Sequence, residues 1–291
     1  MLAMEEASLL DRLTLGAGPS PVVPTAAGTR RARTRGTGVE FHDYRSYQPG
    51  DDPRGIDWTV EARLRQLVVR VTRGEGHIRL HVLLDASGSM SIGEPTKLSC
   101  AARAAAALCY VAVERRDAAG VSTFRDGIAT YMPPAQGRAT LFRALETLAA
   151  VVPSGRSAID RALEQYAAAV RGPGLVAVLS DFFEPGAGIH GLQSLLHRGL
   201  TPAVLQVVAP DELSPDVDDD TQLVDVEHDR SSLIVDYGAL AAYRTRLAEH
   251  EATLRTFCAA HGCSWGRLRS DMPFRELLAV LQASGLLGVR A

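Results

Sequence analysis

An open, mostly parallel α/β sheet with helices on both faces is predicted by three features of this chain. Apolar runs of strand length recur as IRLHVLLD at 78–85, GVSTF at 120–124, LVAVLSD at 175–181 and PAVLQVVAP at 202–210. The last two are apolar on both alternating faces, as strands covered on both sides must be. Between the runs lie segments of helical period, giving the β/α alternation of a doubly wound, Rossmann-type sheet. With 46 % hydrophobic and 22 % charged residues in 291, the chain can bury a sizeable core as one large domain or one domain with a smaller attachment.

The elements follow in order. A short leading helix opens the chain, and the Gly, Pro, Thr and Arg-rich stretch 16–38 reads as an exposed, extended segment in which Arg30, Arg31, Arg33 and Arg35 are solvated. LVVRVTR at 67–73 and IRLHVLLD, separated by the Gly74 to Gly76 turn, predict a hairpin feeding a core strand. Residues 97–116 carry apolar side chains at 98, 101, 102, 105, 108, 109 and 112, one stripe of an amphipathic helix. Further helices are expected at 138–151 (Leu141, Leu145, Leu148), at 157–170 (Ile159, Leu163, Tyr166, Val170) and at 189–198, the last ended by Gly199. The acid-dense stretch 211–229 predicts an exposed loop and edge strand. SLIVD at 232–236, a long helix over 239–260, a short strand near Trp265 and a helix over 274–283 complete the chain. The division expected is an N-terminal extension over 1–75 and the α/β domain over 76–291.

Composition removes several classes of function. A formal charge of −3 gives no electrostatic reason to expect nucleic acid as a partner. The longest purely apolar run, Ala104 to Val113, is far short of the roughly 18 residues that a bilayer span needs. Glu5, Glu6 and Asp11 stand where a secretory signal would be basic and then apolar, so the expected location is cytoplasmic. Cys100, Cys109, Cys258 and Cys263 form no C-x-x-C pair and are read as core thiols.

Chemistry gathers where the strand runs end. After IRLHVLLD, Asp85, Ser87 and Ser89 place a carboxylate and two hydroxyls at every second position. Hard divalent cations take such oxygen ligands, and Mg²⁺ wants six, some of them water. Asp181 ends a second strand, and strand ends in a doubly wound sheet share one edge, where the crevice at the topological switch point collects ligands. Ser157 has two readings: a further hydroxyl for that edge, or, with Asp160, a capping box at the start of the next helix.

These residues resemble a family. LLDASGSM is similar to the D-x-S-x-S motif of the metal-ion-dependent adhesion site in von Willebrand factor A-like domains. The upstream run YRSYQPGDDPRGIDW at 44–58, followed by Ala62-Arg63, resembles the signature of the bacterial family named domain of unknown function 58, which joins such a stretch to a von Willebrand A-like domain. The resemblance extends from about residue 36 to the C-terminal helix. It implies a metal site of Asp85, Ser87, Ser89, Ser157 and Asp181 holding Mg²⁺ or Mn²⁺. A threonine is usual where Ser157 stands; serine keeps the oxygen and loses the methyl that fixes the rotamer. The resemblance further implies association with a MoxR-type AAA+ ATPase, or with a client protein offering a carboxylate to the metal. The function expected is therefore a non-enzymatic protein-interaction module, with no catalytic residue.

Three other readings compete. Asp85 and Asp181 around a metal could serve a hydrolase, although no base stands near either in sequence. Gly186, Gly188 and Gly191 match G-x-G-x-x-G with Asp211 about twenty residues on, the outline of a dinucleotide site, but Phe182 to Pro185 intervene between strand and glycines. Asp51, Asp52 and Asp57 beside Arg45, Arg54 and Arg63 read as an ion-paired corner with Trp58 packed beneath, the alternative being a hydrolase site.

Overall fold

The computed structural model describes residues 4–16, 40–47, 56–73, 77–183, 186, 188–215, 222–224, 232–234 and 237–289. Two compact units divide the chain: Val22–His77 forms one, and Met1–Pro21 with Ile78–Ala291 forms the other.

In chain order the elements are α1 (Met4–Leu10), β1 (Leu13–Leu15), β2 (Glu40–Ser46), α2 (Trp58–Leu64), β3 (Val68–Arg73), β4 (Arg79–Asp85), α3 (Lys97–Glu114), β5 (Ala118–Phe124) and β6 (Ile128–Thr130). There follow α4 (Arg138–Ala149), α5 (Ile159–Ala169), β7 (Gly174–Ser180), α6 (Ile189–His197), β8 (Leu200–Val208) and α7 (Pro210–Leu213). The last are β9 (Gln222–Val224), β10 (Ser232–Ile234), α8 (Tyr237–His261), β11 (Ser264–Arg269), α9 (Phe274–Ala283) and β12 (Leu287–Val289).

The smaller unit pairs β2 with β3 antiparallel, Tyr44 opposite Arg70, with a register shift between Phe41 and Asp43. The chain between them forms α2, capped by the Asp57 carboxylate, which accepts from the Thr59 N–H at 3.0 Å and so satisfies a donor the helix start leaves open. Two expectations are corrected here. The strand at 68–73 does not form a hairpin with β4, because β4 already has β5 on one side and β7 on the other, both parallel, and has no edge left to offer. Nor is Trp58 packed beneath a charged corner: it is 63 % exposed at the first position of α2, a helix with no buried residue. Asp51, Asp52, Arg54 and the four arginines at 30–35 lie outside the described residues.

In the larger unit six strands are ordered β11-β8-β7-β4-β5-β6, parallel throughout except for the antiparallel edge strand β6. This is a doubly wound sheet, as expected: the chain moves outward from β4 through β5 and β6, then returns to the other flank of β4 with β7. The alternation of side chains makes two cores from one set of strands. Leu80, Val82 and Leu84 of β4, with Leu175, Ala177 and Leu179 of β7, face α3, α4 and α9. Leu83, Val176, Val178 and Val204 face α5, α6 and α8. Alanines 101, 104, 105 and 107 of α3 are fully buried, and their small side chains let the helix lie close over the sheet centre.

The start of the chain belongs to this unit. Strand β1 pairs antiparallel with β12, Leu13 opposite Val289, and Leu10, Leu13 and Leu15 are buried in the core beside α3. The four cysteines are free and buried, as core thiols should be. Among the described residues strands β9 and β10 pair only with each other, and the edges of the large sheet are β11 and β6. Among the described residues no helix is long and apolar enough to cross a membrane.

Candidate functional site

The switch in strand order falls between β4 and β7, and the carboxyl ends of those two strands carry Asp85 and Asp181. Asp85 closes β4 and is fully buried. Its Oδ1 accepts from the Ser87 N–H at 2.9 Å, which folds the chain back into a short 3₁₀ turn at Gly88–Ser91. That turn brings the Ser87 and Ser89 hydroxyls within 3.1 Å of each other. The loop before α5 docks on the same turn, the Gly88 N–H donating to Gly155 O at 2.8 Å and the Ser154 N–H to Ala86 O at 2.9 Å. Ser157 then reaches Asp85 Oδ2 at 3.4 Å. The capping-box reading of Ser157 is not realised: Ala158 occupies the cap position of α5 without a side-chain bond, and Asp160 turns instead to the Gly191 N–H at 2.7 Å.

Asp181 follows β7 directly. Its backbone is held by Gln206 Nε2 donating to its carbonyl at 3.3 Å, and its Oδ1 accepts from the Phe183 N–H at 3.3 Å. Phe182 sits in the left-handed region at φ 59° with its ring buried in the core under α5 and α6, an uncommon backbone state held by packing and by the Ser180 hydroxyl accepting from its N–H at 3.1 Å. The structure thus brings Asp85, Ser87, Ser89 and Ser157 together by hydrogen bonds. Asp181 is set one residue beyond Ser180, whose hydroxyl donates to Asp85 Oδ2 at 2.6 Å.

Three participants were not singled out from the sequence. Ser180 is the closest donor to Asp85. Lys97, at the first position of α3, is fully buried, and its ammonium donates to Asp181 Oδ2 at 2.7 Å and to Glu212 Oε1 at 2.6 Å. Glu212 Oε2 accepts in turn from the Ala209 N–H at 2.7 Å. The expectation of an exposed loop is therefore corrected at its start: residues 210–213 form α7, and the Glu212 side chain is drawn inward, 12 % exposed, because the buried lysine needs a second carboxylate. Residues 216–220 and 225–230 lie outside the described residues. A signal for Lys97 existed, since 97, 101, 104 and 108 share one helical face and the last three are buried core positions.

The electrostatics report crowded negative charge. Burial, then the neighbouring Asp181, push the Asp85 carboxyl up to about 7, against the opposing bonds from Ser180 and Ser87. Burial also raises Glu212, though Lys97 pulls the other way. For Lys97 itself, burial favours the neutral amine, but Asp181 and Glu212 outweigh it and the group stays above the usual lysine range. Two carboxylates, Asp181 and Glu212, therefore share the one ammonium, and Asp85 has Asp181 as a charged neighbour. Among the described residues no three His, Cys, Asp or Glu side chains gather as a metal cage. What the edge offers is two carboxylates and three hydroxyls, an all-oxygen set suited to Mg²⁺ or Mn²⁺, with an unneutralised charge that a cation would relieve. On those two counts the residues fit the ion, with Lys97 already holding one oxygen of Asp181.

The dinucleotide reading meets a physical obstacle. Gly188 caps α6 and Gly191 is its third residue, but the Gly191 N–H, one of the donors a pyrophosphate would use, is taken by the Asp160 carboxylate. A Cβ on Gly191 would stand 2.6 Å from Leu163 Cβ, so its missing side chain serves the close contact of α5 with α6.

Residues 43–256 match the family model described as "Protein of unknown function DUF58". The uncharacterized protein Rv1480 of Mycobacterium tuberculosis is 29 % identical over 190 residues, 63 % of this chain and 60 % of that protein. A protein of Mycobacterium bovis, Mb1516, matches to the same extent, so the chain spans about 60 % of the length of the curated relatives it matches. Among solved structures, an aerotolerance-related membrane protein of Bacteroides fragilis aligns with 71 % of this chain and 98 % of its own at 19 % identity and a TM-score of 0.44. BatB of Bacteroides thetaiotaomicron aligns with 70 % and 96 % at 18 % identity and a TM-score of 0.43.

Proposed function

The chain belongs to the DUF58 family, and from that premise we propose that it is a non-catalytic interaction module that captures a carboxylate of a protein partner at the β4/β7 sheet edge with the help of a divalent cation. The observation that supports this is the hydrogen-bonded group of Asp85, Ser87, Ser89 and Ser157 at the switch point of a doubly wound sheet, with Asp181 at the end of the neighbouring strand. Bound there, Mg²⁺ or Mn²⁺ would supply a coordination position that an incoming Asp or Glu could fill. The protein's own part is to hold the donors still. Ser180 and the Ser87 N–H fix both oxygens of Asp85, the turn at Gly88–Ser91 sets the two serine hydroxyls side by side, and Lys97 orients Asp181. The partner we infer is a MoxR-type AAA+ ATPase, as the family resemblance implies.

The test is binding of the purified MoxR-type ATPase of the same organism to this chain by biolayer interferometry at constant Mg²⁺, wild type against Asp85→Ala. Substitution is preferable to a chelator, because the ATPase needs Mg²⁺ for its own nucleotide. Loss of most of the affinity in a variant that still unfolds cooperatively is expected. Undiminished binding by the folded variant would end the adhesion-site reading. A phosphoester and peptide substrate screen in Mg²⁺ and Mn²⁺ tests the hydrolase alternative, and turnover that disappears with Asp85→Ala would replace the proposal.

A further inference from the structure

Resting on that metal reading, we propose that Lys97 is a cation built into the site, which competes with the divalent ion for Asp181 and keeps the affinity for metal low. Its position is costly for a lysine that had no such task. The side chain is fully buried, and it springs from the first residue of an eighteen-residue helix, the end whose exposed N–H groups disfavour positive charge. Two short charge-assisted bonds, to Asp181 Oδ2 and Glu212 Oε1, and the Phe183 ring 5.1 Å from the ammonium hold it there.

The consequence follows from where the oxygens are committed. Asp181 Oδ2 accepts from the Lys97 ammonium, and Asp181 Oδ1 accepts from the Phe183 N–H at 3.3 Å, its one hydrogen bond among the described residues. An arriving divalent ion must share Asp181 with an ammonium already in contact, and two cations on one buried carboxylate repel. Glu212 moderates this. Its Oε1 accepts from the same ammonium at 2.6 Å and so takes up part of the lysine's charge. The two residues should therefore act in opposite senses on the metal. Charge arithmetic says what the lysine adds in return: with Asp85, Asp181 and Glu212 ionised, Lys97 and one divalent ion bring the cluster to neutrality, so a partner carboxylate meets a site that carries no net negative charge.

The experiment is calorimetric titration of Mn²⁺ alone into chelator-stripped wild type, Lys97→Met and Glu212→Gln, each checked for cooperative thermal unfolding. Lys97→Met is expected to bind Mn²⁺ about tenfold more tightly than wild type, and Glu212→Gln severalfold more weakly. If Lys97→Met unfolds when stripped, because its carboxylates are left unpaired, Glu212→Gln carries the test. Wild-type binding that neither variant alters overturns the role of Lys97 while leaving the metal site standing. Absence of binding in all three proteins overturns both.

Discussion

Ser180 Oγ stands 2.6 Å from Asp85 Oδ2, tying the last residue of β7 to the last residue of β4 across the point where the strand order turns. Ser180 and Asp85 are 1 % and 0 % exposed, so neither can exchange its partner for water. Ser180→Ala should leave the buried carboxyl without its closest donor and the Phe182 N–H without its acceptor, a loss of about 1–3 kcal/mol. Urea unfolding of the two proteins measures it. An unchanged midpoint would mean that the neighbouring hydroxyls of Ser157 and Ser87 take over the bond.

His81 gives a prediction about pH. It lies in β4 with no exposed surface, its Nδ1 2.9 Å from the Tyr166 hydroxyl, and burial, aided by the charge of Arg79, lowers it from 6.5 to about 4. The native state therefore resists protonation that the unfolded chain accepts. The stability His81 contributes is complete above pH 6.5 and is lost as pH falls toward 4, by about 2–3 kcal/mol at pH 4.5. Denaturant unfolding at pH 7.5 and 4.5 should show wild type losing that much more than His81→Asn, which has no proton to gain. Equal losses would place the acid sensitivity in other groups.

The parallel, doubly wound sheet was legible because buried strands write themselves as unbroken apolar runs, and LVAVLSD and PAVLQVVAP alternate with helical stripes. Asp85, Ser87 and Asp181 were legible for the same reason, since residues that end neighbouring strands share an edge. What was hidden depends on partners remote in sequence. LVVRVTR has the composition of a strand, but only the lack of a vacant side on β4 shows that it pairs with residues 40–46. Trp58 was misplaced because an indole is usually buried, whereas α2 has only seven residues and no buried face. Glu212 lay within a run of acids that reads as solvated, and its burial follows from a lysine 115 residues away. Strands β1 and β12, three residues each, pair the two ends of the chain and carry too little pattern to be seen.

Whether Gly191 serves the close packing of α5 and α6 is a question that stability measurements can answer. If Gly191 had no packing role, Gly191→Ala would leave the fold as stable as before or better, since alanine favours a helix by about 1 kcal/mol over glycine. In this structure the new Cβ meets Leu163 Cβ at 2.6 Å and Asp160 O at 3.0 Å, one of them backbone, and α6 must move away from α5. Overpacking of that kind costs about 1–3 kcal/mol. The movement also stretches the 2.7 Å bond from the Gly191 N–H to Asp160. A net loss of about 1–2 kcal/mol is expected in thermal or urea unfolding. Asp160→Asn, which keeps the shape but removes the charge at the start of α6, should cost less, about 1 kcal/mol or under. A stabilised Gly191→Ala protein would show that the helices tolerate the methyl and that their contact does not depend on the glycine.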